Sequence, residues 1–184
     1  MLSQFEFLAE VVSALDEAGI AYMIAGSVAS THHGEPRMTR DIDLVIDPDE
    51  RSVEVFVERL DPARFYIGDF TTALADRDMF NIIDTTGGWK VDLMVRKARP
   101  FSSMELSRRE RADVGGINVY VATAEDTILT KLEWHQMGGS DRQMADVVSM
   151  LEAQGETLDE GYLDNWAHEL GVVDELNQAR ALAR

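Results

Sequence analysis

The chain of 184 residues sets 34 Asp plus Glu against 17 Lys plus Arg, for a formal net charge of −17, and has no cysteine. That length allows one compact core with a small helical appendage, and the missing cysteines exclude disulfides and thiolate metal sites. A field of this sign repels phosphate backbones and anionic membranes, and neither a run of about 18 apolar residues nor a basic-then-apolar N-terminus is present, so the expectation is a cytoplasmic protein without a spanning helix.

The first element, over residues 4–18, places Phe5, Leu8, Val12 and Leu15 at helical spacing, with Ser3 and Glu6 as a capping box and Gly19 as the stop. "IAYMIA" (20–25) is too short for a helix and predicts a buried strand. Residues 27–33 suit a brief helix that Pro36 keeps from continuing, and "MTRDIDLVI" predicts a strand over 39–46 that ends at the Asp47-Pro48 turn. Over 49–60, Val53, Phe56, Val57 and Leu60 share a helical face. "MFNIID" and "WKVDLMV" flank "TTGG" and predict a hairpin with strands near 79–85 and 90–96, followed by a strand at 116–122. From there the pattern is helical, near 124–137, 141–153, 158–170 and 172–183, with start boxes at Thr123/Asp126, Ser140/Gln143 and Thr157/Glu160. The order predicts an α/β (α+β) fold: a mixed sheet of four to five strands with flanking helices over 1–122, and a helical C-terminal part over 123–184 packed on it.

Three carboxylates interrupt the strand pattern. Asp41 and Asp43, two residues apart, would share one strand face, while Ile42, Leu44 and Ile46 take the other. Asp92 sits with Lys90 and Met94, opposite Val91, Leu93 and Val95. Carboxylates buried without partners are costly, and a divalent cation that prefers oxygen is the simplest compensation. Gly26 allows close backbone approach to a phosphate, and Ser27 offers a hydroxyl and an N–H at a helix start. Lys90 fits either an ion pair with Asp92 or a phosphate contact. The basic runs Arg96-Lys97-Ala98-Arg99 and Arg108-Arg109-Glu110-Arg111 are read as solvated charge rather than an RNA contact. His32 and His33 are read as loop histidines, and Trp89, Trp134 and Trp166 as packing residues.

The Gly26-Ser27 pair, thirteen residues, Asp41-Ile42-Asp43-Leu44 and the later strand Asp92 together resemble the nucleotidyltransferase superfamily of the DNA polymerase beta type, over about residues 20–96. The resemblance implies that fold and a two-metal site. Asp41 and Asp43 would ligate two Mg²⁺ or Mn²⁺ ions, and Asp92 would complete the site for the ion that activates a hydroxyl. The implied reaction moves a nucleoside monophosphate from an NTP to a hydroxyl on RNA, protein or a small molecule. Within the superfamily, "PRMTRDIDLVI", "GWKVDLMV" and "TAEDTILTKLEWHQMGGSDRQMADV" are similar to AbiEii-type toxins and minimal nucleotidyltransferases. That similarity rests on Arg37 and Thr39 before the first aspartate, Lys131 on the helix after the last strand, and Arg142 with Asp146 in a partial Arg-Asp-x-x-Asp, where Gln143 replaces an acid. It implies nucleotide contacts from Gly26, Ser27, Arg37, Thr39, Lys131 and Arg142, and an antitoxin partner. The alternatives are a non-catalytic nucleotide- or metal-binding regulatory module of the same fold, or a site for one structural cation.

Overall fold

A computed structural model describes residues 3–39 and 41–183. Helix α1 (Gln4–Glu17) begins on the expected capping box, with the Ser3 side chain accepting from the Glu6 N–H and the Glu6 carboxylate accepting from the Ser3 N–H. Strand β1 (Ala21–Ala25) runs straight into helix α2 (Gly26–His33), and β2 (Ile42–Asp47) is followed by α3 (Glu50–Arg59). Next come β3 (Phe65–Ile67), α4 (Phe70–Asp76), and the hairpin of β4 (Met79–Asp84) and β5 (Lys90–Val95). Helix α5 (Pro100–Arg108) and the hairpin of β6 (Glu110–Val114) and β7 (Ile117–Val121) precede the helical run α6 (Ala124–Gly138), α7 (Asp141–Gln154), α8 (Glu160–Leu170) and α9 (Val173–Leu182).

The strands form one mixed sheet of seven in the order β3-β4-β5-β2-β1-β7-β6. The five expected strands are its interior, and the two additional ones are its edges. Strand β3 has only three residues, and β6 ("ERADV") buries only Val114, so neither carries the period-2 apolar signal of a half-buried strand. Helices α4 and α5 are additional as well; α5 is announced only by Pro100 at its first position. Strand β2 opens at Ile42 rather than at residue 39, and Arg40 of the expected strand lies outside the described residues. One expected side-chain cap is missing and one expected helix start shifts. Ser140 makes no side-chain cap, and α8 is capped by Asp159, which accepts from the Tyr162 N–H, after a 3₁₀ turn at Gly155–Thr157.

Strand alternation divides the sheet into two unlike faces. Ile42, Leu44 and Ile46 of β2 and Val91 and Leu93 of β5 point into a core with Phe7, Val53 and Phe56 of α1 and α3. The opposite face carries Asp43, Val45 and Asp47 from β2 and Asp92 and Met94 from β5. Helix α5 covers part of it, where Leu106 joins Met23 and Ala122. A second apolar core is built by α6 to α9, with Ile128, Leu132, Val147, Leu163 and Leu176 at its centre, and Phe101 of α5 reaches into it against Trp166. Asp126 of α6 is fully buried; it accepts from Thr123 Oγ1 at 2.8 Å and from the Tyr162 hydroxyl at 2.5 Å, which ties α8 to the start of α6. No helix among the described residues is long and apolar enough to cross a membrane.

Candidate active site

Strands β2 and β5 are parallel, and their register pairs Asp43 with Asp92. Partners on adjacent strands face the same way at about 4.8 Å separation, so the two carboxylates stand side by side. Burial and then the negative charge of Asp92 push the Asp43 carboxyl above its usual range, against the Ser27 backbone N–H, which favours the charged form. Asp92 is 7 % exposed; its Oδ2 takes the Lys90 ammonium at 2.7 Å, and its Oδ1 is buried without a hydrogen-bond partner among the described residues. The same row continues to Asn81 of β4, the register partner of Asp92, whose Oδ1 is also buried and unpartnered.

The row continues in the other direction to Ala25, opposite Asp43 at the end of β1. There the chain turns into α2 through Gly26 at φ +57°. A Cβ on Gly26 would stand 2.1 Å from Asp43 Oδ2, so both the left-handed backbone and the close approach demand glycine. Ala25 gives α2 no side-chain cap, and the Asp43 carboxylate takes the Ser27 N–H at the positive end of the helix instead.

The helical layer reaches this point through Asp146 of α7. Asp146 Oδ2 accepts from Lys131 Nζ at 2.7 Å and from Arg37 at 2.9 Å, Arg37 Nε donates to Oδ1 at 3.1 Å, and Arg37 also donates to Ser27 Oγ at 3.0 Å. Lys131 donates in addition to Gln143 Oε1 at 2.9 Å. Burial would raise the Asp146 carboxyl, but the bonds from Arg37 and Lys131 outweigh it and hold it below the usual range. A cavity of about 280 Å³ opens beside this network, from Gly26, Ser27 and Asp43 along Val45 and Met94 to Glu105, Thr130 and Trp134.

Of the residues expected at the site, Gly26, Ser27, Asp43, Asp92, Arg37 and Lys131 are brought together. Asp41 is exposed and precedes β2, where strand alternation no longer sets its direction, although its charge is felt at Asp43. Thr39 spends its hydroxyl on the Asp41 carbonyl at 3.2 Å. Arg142 is on the exposed side of α7, outside the cavity; its neighbour Gln143 lines the wall instead. Lys131 is no rim or surface lysine, being 4 % exposed. Trp134, expected in the core, is 52 % exposed at the cavity. His33 Nε2 lies 2.7 Å from the Ala122 carbonyl. The basic runs are largely paired internally: Arg96 with Asp47, Arg99 with Glu133 and Arg108 with Glu125.

As a donor set, Asp43 and Asp92 fit a hard cation. They offer hard oxygens side by side, and one of those oxygens is buried with nothing to accept from. Among the described residues no three His, Asp or Glu side chains converge closely enough to hold one ion, so the fit is that of a carboxylate pair rather than a closed cage.

No family profile and no curated protein matches the sequence. Solved structures do match the fold. The antibiotic-resistance factor ANT(2'')-Ia superposes with a TM-score of 0.61 at 14 % identity over 95 % of this chain and 97 % of that one. The fold is that of nucleotidyltransferases. A nucleotidyltransferase-like antigen from Paracoccidioides brasiliensis shares it at TM-score 0.53 and 20 % identity, over 94 % of this chain and 90 % of that one. So does the lincosamide antibiotic adenylyltransferase LnuA, lincomycin-bound, at TM-score 0.53 and 8 % identity, over 80 % and 94 %. On this fold, Asp43 and the start of α2 lie at one end of the cavity, with Asp92 beside Asp43 on the next strand.

Two expectations follow from this geometry. Because the Asp43 carboxyl is raised in the folded chain, it keeps a proton at pH values where the unfolded chain, near 3.8, has released it. Its contribution to stability is therefore present at low pH and lost as pH rises through the folded value. In metal-free buffer Asp43→Asn should melt above the wild type by a margin that grows from pH 4 to pH 7; parallel melting curves would contradict the carboxylate pair. Breaking the Asp146 hub should cost more from one side than the other. Asp146→Ala leaves Lys131 and Arg37 without their shared anion and should lose ~3–5 kcal/mol in urea unfolding, more than Lys131→Ala, after which Arg37 still neutralises Asp146.

Proposed function

We propose that this protein transfers a nucleoside monophosphate from an NTP to a hydroxyl acceptor, the new O–Pα bond replacing the Pα–O–Pβ bond as pyrophosphate leaves. The observation that supports this best is the in-register Asp43–Asp92 pair, with Gly26 pressed against Asp43 at the uncapped start of α2. Here the positive end of α2 and the Ser27 hydroxyl receive the phosphates, while Arg37 and Lys131 supply positive potential beside them. Asp43 and Asp92, with the charge of Asp41 beside them, would hold Mg²⁺ or Mn²⁺, which would screen the carboxylates and draw charge from the phosphates. Asp92 Oδ1, the acceptor atom left without a partner, takes the proton of the attacking hydroxyl. Residues 1–122 form the nucleotidyltransferase core in this reading, and residues 123–184 a helical subdomain that delivers Lys131.

A small-molecule acceptor suits the site better than RNA. The net charge of −17 opposes a polyanion, and Arg96, Arg99 and Arg108 already have acidic partners. That LnuA is a lincosamide antibiotic adenylyltransferase agrees with this choice. A toxin role of the AbiEii type draws on the Arg37–Asp146–Lys131 network, since these residues carry that resemblance; it would appear as growth arrest on expression that Asp43→Asn relieves. Incubation with each α-³²P-labelled NTP, Mn²⁺ and cell extract should place label in the small-molecule fraction with wild type and leave none with Asp43→Asn. Nucleotide binding without any transfer would instead indicate a regulatory module.

A further inference from the structure

The cavity that runs from Gly26 to Glu105 and Trp134 takes in Asp43, but neither Asp92 nor Asn81 lines it. The polar row goes on without it, through Asp92 and Asn81 to Gly68, whose N–H donates to the Asn81 carbonyl at 2.8 Å just past the end of β3. Asp92 Oδ1 and Asn81 Oδ1 are both buried acceptors without a hydrogen-bond partner among the described residues, and Lys90 holds the other Asp92 oxygen. Acceptors withdrawn from water without a donor are costly. Two of them in register on adjacent strands therefore suit a ligand that brings donors of its own.

The surroundings leave room for one. Gly68 ends the row without a side chain, and even a Cβ there would stand 3.3 Å from Asn81 Oδ1. On the same face the neighbouring rows end in Tyr66 of β3 and Met79 of β4, both exposed. Helix α5 packs over Met23 and Ala122, in the other half of the sheet. The terminal torsions of Asp and Asn side chains are broad, so each oxygen can turn toward a group that arrives above it.

We propose that Asp92 and Asn81 together form the acceptor subsite, and that the acceptor is a vicinal diol or amino alcohol. This deepens the nucleotidyl-transfer reading and rests on it. The reacting hydroxyl gives its proton to Asp92 Oδ1 as its oxygen bonds to Pα and pyrophosphate leaves. The hydroxyl or amino group on the next carbon keeps its hydrogen and donates it to Asn81 Oδ1. Facing positions on neighbouring strands hold their Cβ atoms about 4.5–5.5 Å apart, so two donors that meet both oxygens at once are close neighbours in the acceptor. An acceptor with a lone hydroxyl leaves Asn81 Oδ1 unpaired and is disfavoured for that reason. The two substrates then approach from opposite sides, the nucleotide over the start of α2 and the acceptor over β4, with Asp43 and Asp92 between them.

The test uses periodate, which cleaves the bond between carbons bearing adjacent hydroxyl or amino groups. Cell extract is divided, one half is oxidised with periodate and quenched with sulfite, and both halves are then incubated with the protein, Mn²⁺ and the four α-³²P-labelled NTPs. Wild type should label small molecules in the untreated half and at least about tenfold less in the oxidised half. Asn81→Ala should label the untreated half at least about tenfold more slowly than wild type. The same variant should melt as a folded chain and bind Mn²⁺ with the α,β-methylene ATP analogue as wild type does, which loss of a merely structural residue would not allow. Undiminished labelling after periodate, label confined to macromolecules, or a folded Asn81→Ala that works at the wild-type rate overturns the acceptor subsite and leaves nucleotidyl transfer standing. If wild type transfers label to nothing in the untreated half, both readings fall.

Discussion

Everything at the candidate site follows from the parallel register of β2 on β5, which forces Asp43 and Asp92 into adjacent positions. Like charges at neighbouring sheet positions destabilise the folded chain, and here the cost is increased because both side chains are largely withdrawn from water. The surroundings offset it only in part. Lys90 neutralises one Asp92 oxygen, and Gly26 brings the amide end of α2 onto Asp43, but among the described residues Asp92 Oδ1 still has no donor. A fold under no functional demand would relieve this with an apolar residue at either position.

The second constraint is the joint between the sheet and the helical layer. Asp146 receives Lys131 from its own layer and Arg37 from the loop after α2, and Arg37 in turn holds Ser27. The same face of α7 fixes that loop further: the Ser149 hydroxyl accepts from the Glu35 N–H and Gln154 donates to the His33 carbonyl, both at 2.7 Å. The start of α2 is thereby positioned from both sides. Lys131 is consequently a positioning group as much as a source of charge, and its burial makes it part of the folded structure rather than an appendage at the rim.

The sheet interior was legible because each of its strands alternates or runs apolar, and Asp43 and Asp92 stood out as exceptions to that pattern. The edge strands β3 and β6 left no such trace, since an edge exposed on one face needs little apolar sequence. The glycine before Ser27 was readable as a site of close approach. Asp146 was visible only as a fragment of a motif, because its importance lies in partners 109 and 15 positions away that only the tertiary structure assembles. Arg142 and Gln143 show the same limit: the motif favoured the arginine, while helical phase turns the glutamine inward. Glu105 had one sequence signal, its spacing of four from Phe101 on the buried side of α5, but that helix itself was not evident.

In the proposed reaction Asp43 and Asp92 form a cation site serving a nucleotide. Titration of the chain with Mn²⁺, followed by electron paramagnetic resonance of the free ion, addresses it without need of the acceptor. Wild type should bind Mn²⁺ saturably and more tightly when the α,β-methylene ATP analogue is present, and folded Asp43→Asn and Asp92→Asn should lose that binding. Binding that is absent in wild type, or that both variants retain unchanged, would contradict it.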